Sequence, residues 1–238
     1  MRVVFVLFFL GLSGFVRAQG VGSQNIPLTA SEIAGIGGSF TLNLVDKKNA
    51  KSKKTVDGSP YLFKSWDNNA KVYLDNKVYV FNMFNYNAYA ERFEAKVSED
   101  SVYIINPKGV DKVVILNRAF KRYLDPEYQR NSYFEEIFKS DNFLLLRKYY
   151  TTLREPNINP LTKVPEGLPE LLQNEDFYVL KTDNEKLEKI KFRKKSVLDL
   201  IPKNQQKVVQ SYVKKNNLKY NNLHDIVTIL KYYIALSA

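Results

Sequence analysis

The sequence predicts an α+β fold: an antiparallel β-meander, packed as a sandwich or a partly open barrel, followed by a small C-terminal subdomain of three helices. Three observations predict it. Between residues 58 and 193, short runs of alternating apolar and polar residues are broken by turn residues about every ten positions. Near residue 194 the apolar spacing changes from two to about 3.6. Cysteine is absent from all 238 residues, so stability has to come from a buried core, for which a 13% aromatic content supplies large surfaces.

Residues 1–18, MRVVFVLFFLGLSGFVRA, combine a positive charge at Arg2, an apolar run from Val3 to Leu12, and Val16 and Ala18 at the two small-residue positions of a cleavage site. They read as a signal peptide cleaved before Gln19. The apolar run is about half of the roughly 20 residues that a membrane span requires, and no later run is longer. The expectation is an exported, soluble protein, periplasmic or extracellular, with no transmembrane segment after cleavage. Residues 19–57 read as a poorly ordered arm, with GIGG at 35–38, a lysine-rich KKNAKSKK, and one strand-like piece at Phe40 to Val45. GIGG lacks the strand-to-helix context of a phosphate loop and reads as a turn.

The β region spans residues 58–193. Lys71–Leu74 and Lys77–Met83 flank Asp75-Asn76, a two-residue connection that closes a hairpin because both residues tolerate positive φ. Ala90–Val97 and Ser101–Asn106 flank Ser98-Glu99-Asp100, and Pro107-Lys108-Gly109 precedes a strand at Lys112–Leu116. Within Ala90–Val97, Glu91, Phe93, Ala95 and Val97 share one face, which places Glu91 at the sheet's margin. Tyr133–Phe138 and Phe143–Tyr150 read as further strands, although FLLLRKYYTTL is a short apolar run that fits a helix equally. Four of the chain's nine prolines fall within 156–169, marking a long loop. A last hairpin joins FYVLK to KLEKIKF through residues 182–185.

Residues 194–238 form the helical subdomain. Ser196 to Asp199 reads as a capping box opening a helix that Pro202 stops. A second helix, from about Gln205 to Lys215, buries Val208, Val209, Tyr212 and Val213. Asn222 to Asp225 caps a third, whose Leu223, Ile226, Val227, Leu230 and Ile234 recur at helical spacing.

GSPYL at 58–62, with Tyr86, Asn87 and Tyr89 of a YN-x-Y signature and Glu94 beyond it, resembles a family of exported proteins of Gram-negative bacteria that has no established activity. The resemblance covers roughly residues 56 to 236 and implies export, a hairpin-rich region and short C-terminal helices ending in an aromatic-rich turn, here KYYIAL. Asn85 stands where the family pattern has arginine.

Charge locates the candidate site. Removing Arg2 and Arg17 from the 36 basic residues leaves 34 against 25 acidic, a formal charge of +9, and Lys186 to Lys219 alone hold eleven basic residues against Glu188 and Asp199. Lys191, Arg193, Lys194, Lys195, Lys207, Lys214 and Lys215 are the candidate contacts to an anionic lipid surface or an acidic polysaccharide; a merely solvated face is the plainer reading. No stacking motif accompanies them, so nucleic acid is not expected as a partner. Tyr86 and Tyr89, with Asn85 and Asn87, offer a possible aromatic platform for a sugar, against the simpler use of tyrosine in cross-strand pairs.

The catalytic classes narrow quickly. His224 is the single histidine, which excludes Cys-His and multi-histidine metal sites and leaves a hydrolytic triad dependent on one helix-start imidazole. No catalytic residue, cofactor or metal is expected. Asp125, Glu127, Glu135 and Glu136 lie near one another in sequence, but Glu135 and Glu136 point to opposite faces of a strand and read as edge or turn charges. The expectation is a non-enzymatic binding or envelope structural protein; the alternatives are a periplasmic carrier of an apolar ligand and a carboxylate-based hydrolase.

Overall fold

The computed structural model describes residues 40–44, 56–99, 101–183 and 186–237. The signal peptide expected over 1–18, the GIGG turn and most of the arm 19–57 lie outside these residues.

Hairpin turns organise the β region. Asp75 and Asn76 adopt φ of 48° and 62°, and Leu116 and Asn117 adopt 49° and 63°. Such paired left-handed residues form the connection whose twist matches that of the strands it joins. The first turn closes β3 (Ala70–Leu74) on β4 (Lys77–Phe81), as the sequence predicts. The second joins β8 (Val110–Ile115) to β9 (Arg118–Asp125), and here the sequence reading fails: leucine is not a turn signal, so β9 goes unseen.

From β8 the chain meanders through β9, β10 (Arg130–Lys139), β11 (Phe143–Arg154), β12 (Glu170–Lys181) and β13 (Leu187–Ile190). With β3 and β4 joined to β8, the large sheet has the order β13-β12-β11-β10-β9-β8-β3-β4, all antiparallel, and β2 (Asp57–Gly58) adds a short parallel pairing to β12. A small antiparallel sheet has the order β1-β7-β6-β5, from β1 (Phe40–Leu44), β5 (Phe84–Asn87), β6 (Arg92–Ser98) and β7 (Ser101–Ile105). The large sheet is open, with β4 and β13 at the two ends of its path.

Both layers that cover the large sheet lie on one side of it. Along β11, Phe143 and Leu145 pack with the helices, while Tyr149 on the same face joins the core shared with the small sheet. That second core is aromatic. Phe84, Tyr86, Phe93, Phe120 and Tyr133 are all buried, with ring centroids 4.9 to 6.3 Å apart in stacked, tilted and edge-on pairs. On the opposite face, Phe134, Leu146, Tyr178 and Leu187 form a separate buried cluster. Lys189 of β13 reaches Glu127, beyond the end of β9, at 3.9 Å, so the sheet curls across this face and shields it.

The helices are α1 (Lys194–Leu198), α2 (Lys203–Lys215) and α3 (Leu223–Ser237). Val209, Val213, Ile226, Ile229, Leu230 and Tyr233 bury their stripe against Phe143, Leu145 and Val179. Tyr212 stacks on Tyr232 with centroids 3.8 Å apart and planes within 5°. Val208, expected in the core, is exposed, because the stripe runs through Val209 and Val213. The capping box is also displaced: α1 begins two residues before Ser196, whose Oγ accepts the Arg193 N–H at 3.1 Å, and Asp199 closes the helix instead of opening it. Pro202 is the N-cap of α2. Asn222 caps α3 as expected, its Oδ1 accepting the Asp225 N–H at 3.1 Å.

One buried ionic cluster ties the sheets together. Lys148 on β11 donates from Nζ to Asp125 Oδ2 at 2.6 Å and lies 3.4 Å from Glu91 Oε1; Ser132 Oγ donates to Glu91 Oε2 at 2.9 Å. Glu91, with φ of 50°, sits in the turn between β5 and β6, so the contact fastens a small-sheet turn to three large-sheet strands. Glu91 lies just outside β6, at the small sheet's margin as the sequence placed it, and is partly buried there. Removing the ammonium leaves Asp125 ionised in a fully buried place. Lys148→Met is expected to lose about 3–5 kcal/mol of stability in urea unfolding, and adding Asp125→Asn should recover part of that loss; an unchanged midpoint in the single variant would refute the role given to the cluster.

Candidate functional site

Several cations in the β region have acidic partners, whereas Lys71, Lys77, Lys112 and Lys139 on the strands form no ion pair among the described residues. Arg92 bonds Glu94 at 2.6 Å, Arg130 bonds Glu91 at 3.0 Å, Lys121 lies 3.4 Å from Glu136, and Arg154 pairs with Glu170. Lys189, where the basic segment meets the sheet, bonds Asp176 at 2.7 Å. Beyond it the pattern changes. Lys191, Arg193, Lys194, Lys195, Lys207, Lys214 and Lys215 are all exposed, and among the described residues none of them forms an ion pair.

The structure divides this predicted set. Lys191, Arg193 and Lys195 line one open groove of about 450 Å³ beside Ile190. Lys194 and Lys214 line another, of about 610 Å³, over Val213, Leu218 and Tyr220. Lys194 and Lys195 are neighbours in α1 yet serve different grooves, because successive helical side chains diverge by about 100°. Lys207 and Lys215 line neither groove.

The aromatic platform is not assembled. Tyr86 is 0% exposed and lies inside the aromatic core, whereas Tyr89 is 61% exposed on the turn that follows β5. The neighbouring asparagines explain the local sequence. Asn85 accepts the Phe63 N–H at 3.2 Å and donates to the carbonyls of Phe63 at 2.9 Å and Ser65 at 3.1 Å. Asn87 Nδ2 donates to Glu94 Oε1 at 3.1 Å, and Tyr61 OH donates to Glu94 Oε2 at 2.8 Å. Residues 58–66 thus form a strap along β5, completed by Leu62 N–H to Tyr86 O at 2.9 Å and Ala88 N–H to Pro60 O at 2.7 Å. Trp66 packs edge-on against Tyr61, centroids 4.7 Å apart. Gly58 begins the strap at φ of 82°, where a Cβ would lie 2.5 Å from the Leu171 carbonyl oxygen, so only glycine fits. GSPYL and YN-x-Y are two halves of one structural joint.

The carboxylates are equally committed. Glu135 sits mid-strand and buried, where the sequence suggested an edge. It accepts Arg118 Nε at 2.9 Å and Nη2 at 2.8 Å, Arg147 Nε at 3.0 Å and Nη2 at 2.9 Å, and Tyr149 OH at 2.9 Å. Burial pushes its carboxyl up, but hydrogen bonds from Arg118, the charges of Arg118 and Arg147, and the Tyr149 hydroxyl outweigh burial and hold it below the ordinary glutamate range. Glu136, on the other face as expected, accepts Tyr123 OH at 2.6 Å. Asp125 and Glu91 share Lys148, yet Asp125 has no exposed surface through which a substrate could reach it. His224 is exposed at the start of α3. Among the described residues, no group of three or more His, Cys, Asp or Glu side chains is placed to hold a metal ion, and no helix is long and apolar enough to cross a membrane.

Sequence reasoning missed the buried charges Glu94, Asp125, Glu135 and Lys148, and the part-buried Glu91 that joins them, because charged residues are seldom fully buried. A signal was present for Lys148: it shares an alternating face with Leu144, Leu146 and Tyr150, where a charge has to find a partner. No known protein family, no protein of curated function and no solved structure matches the chain.

The lowered Glu135 carboxyl fixes a sign. Its folded pKa lies below the unfolded value of about 4.3, so its contribution is fully present above that value and is lost as the pH falls through the folded one. Glu135→Gln should cost about 3–5 kcal/mol near neutrality, and between about pH 5 and pH 3 its urea midpoint should fall less steeply than that of the parent; parallel curves would show that Glu135 is not the titrating group.

Proposed function

We propose that the protein is an exported, soluble, non-enzymatic binding protein or structural component of the cell envelope, meeting an anionic lipid surface or an acidic polysaccharide through its basic helical subdomain. One observation carries this reading: Lys191, Arg193, Lys194, Lys195, Lys207, Lys214 and Lys215 crowd one segment of the chain, all exposed and none in an ion pair among the described residues. A lysine without a partner contributes its full field to an approaching polyanion, about 1 kcal/mol for each residue near an anionic membrane. Such attraction weakens with salt over a screening length of about 8–10 Å. The signal-like residues 1–18 and the resemblance carried by GSPYL and YN-x-Y support the address.

The alternatives draw less support. A carrier needs space between its layers, and here that space holds Phe84, Tyr86, Phe93, Phe120 and Tyr133 in mutual contact. Of the carboxylates the sequence offers a hydrolase, Asp125 is held by Lys148 and Glu135 by Arg118 and Arg147.

Charge reversal at Lys194, Lys195, Lys214 and Lys215 to Glu should reduce binding to phosphatidylglycerol vesicles or an acidic polysaccharide by at least about 100-fold, from roughly 1 kcal/mol per lysine. Co-sedimentation across a salt series reads this directly. Equal binding by parent and variant, or binding indifferent to salt, would remove the basic face from consideration.

A further inference from the structure

Strands β11 and β12 are joined by an ordered finger. Over residues 155–169 the chain folds back through a bridge between Ile158 and Pro165. Asn159 organises the tip: its Oδ1 accepts the N–H groups of Leu161 at 2.9 Å and Thr162 at 3.1 Å, and its carbonyl accepts that of Lys163 at 2.8 Å. Lys163 turns the chain at φ of 57°, and Glu166 N–H donates to Asn157 O at 2.7 Å. Prolines 156, 160, 165 and 169 stiffen the remainder. The tip's backbone therefore finds partners internally and its shape is set before any encounter. What it presents outward is aliphatic: Ile158 is 63% exposed, Leu161 91% and Val164 57%. An apolar cluster held this rigidly in water is characteristic of a contact surface.

Charge around the finger restricts what it meets. At its base Asp57, Glu155, Glu166 and Glu170 line a recess in which Arg154 is, among the described residues, the one cation, paired with Glu170. This acidic collar disfavours an anionic bilayer and suits an apolar recess with a basic rim. The chain itself carries a recess with such a rim, the open groove of about 610 Å³ where Lys194 and Lys214 flank Val213, Leu218 and Tyr220 beside the polar Gln210, Ser211 and Asn217. Finger and groove lie at opposite ends of β11, because the helices cover Phe143 and Leu145 while the finger begins beyond Arg154. At about 3.3 Å per residue the separation is roughly 30 Å, so no molecule fills its own groove.

We propose that the finger of one copy docks, tip first, into the basic-rimmed groove of a second copy. Finger and groove are different surfaces, so the contact is heterologous and its repetition propagates a head-to-tail chain. A contact made through one finger tip engages few side chains, which makes association weak and dependent on concentration. This goes beyond the anionic-surface reading and shares with it only Lys194 and Lys214.

Sedimentation velocity on the mature chain tests it. The parent should shift to larger species as concentration rises, whereas Leu161→Asp, at an exposed position, and the double variant Lys194→Glu/Lys214→Glu should each remain monomeric with unchanged thermal melting. An equimolar mixture of the two variants should form a dimer and nothing larger, since only one intact finger and one intact groove remain. A parent that stays monomeric at every concentration, assembly indifferent to Leu161→Asp, or a mixture without dimer would overturn the proposal. So would a monomeric parent that binds phosphatidylcholine vesicles through Leu161, which would make the finger a lipid contact. Leu161→Asp keeps every lysine, so its binding to anionic vesicles should equal the parent's, and the two readings fail separately.

Discussion

Strand β11 has to be buried on both faces along most of its length, and much of the architecture follows from that. Its odd-numbered residues need two covering layers, and the helices and the small sheet provide them end to end: Phe143 and Leu145 under α2 and α3, Tyr149 under β5 and β6. Its even-numbered residues, Leu146 and Lys148 among them, have no third layer to meet. The sheet curls instead, bringing β13 towards the β9–β10 turn, and what cannot be made apolar is neutralised in place by Asp125 and Glu91. A buried ammonium costs several kcal/mol unless matched so closely. It also selects one seating of the small sheet, because Glu91 can reach Lys148 only when the β5–β6 turn is home.

The molecule is polarised by the same arrangement. The buried acids and bases of the β region are paired with one another inside or beside the sheets, around Glu94, Glu135 and Lys148. The cationic surplus of the chain remains on the helices, at the Phe143 end of the longest strands, while the acid-collared finger occupies the Arg154 end. Local charge, more than the total, sets what each end can approach.

Much of this was legible in the sequence where local physics decides. Asp75-Asn76 announced its hairpin, the alternation in Ala90–Val97 its strand, and the spacing of Leu223, Ile226 and Leu230 its helix. Illegible parts depended on partners far away in the chain. Leu116 adopts a left-handed turn only because β8 and β9 pair around it, and Glu135 is buried only because Arg118 and Arg147 arrive from neighbouring strands. Tyr86 and Tyr89, three residues apart, separate into core and surface, a distinction that composition does not carry. The candidate lysines were visible as a set. Their division between two grooves was not, because it depends on where α1 starts.

The strap over β5 has a spectroscopic consequence. Trp66 is the chain's only tryptophan and is lodged against Tyr61 and the start of β5, with its carbonyl accepting the Phe84 N–H at 3.0 Å. Intrinsic emission excited on its red edge therefore reports whether the joint between GSPYL and the small sheet is seated. It is nearly blind to the helices, so a melt followed by tryptophan fluorescence and one followed by helical circular dichroism observe different halves of the same molecule.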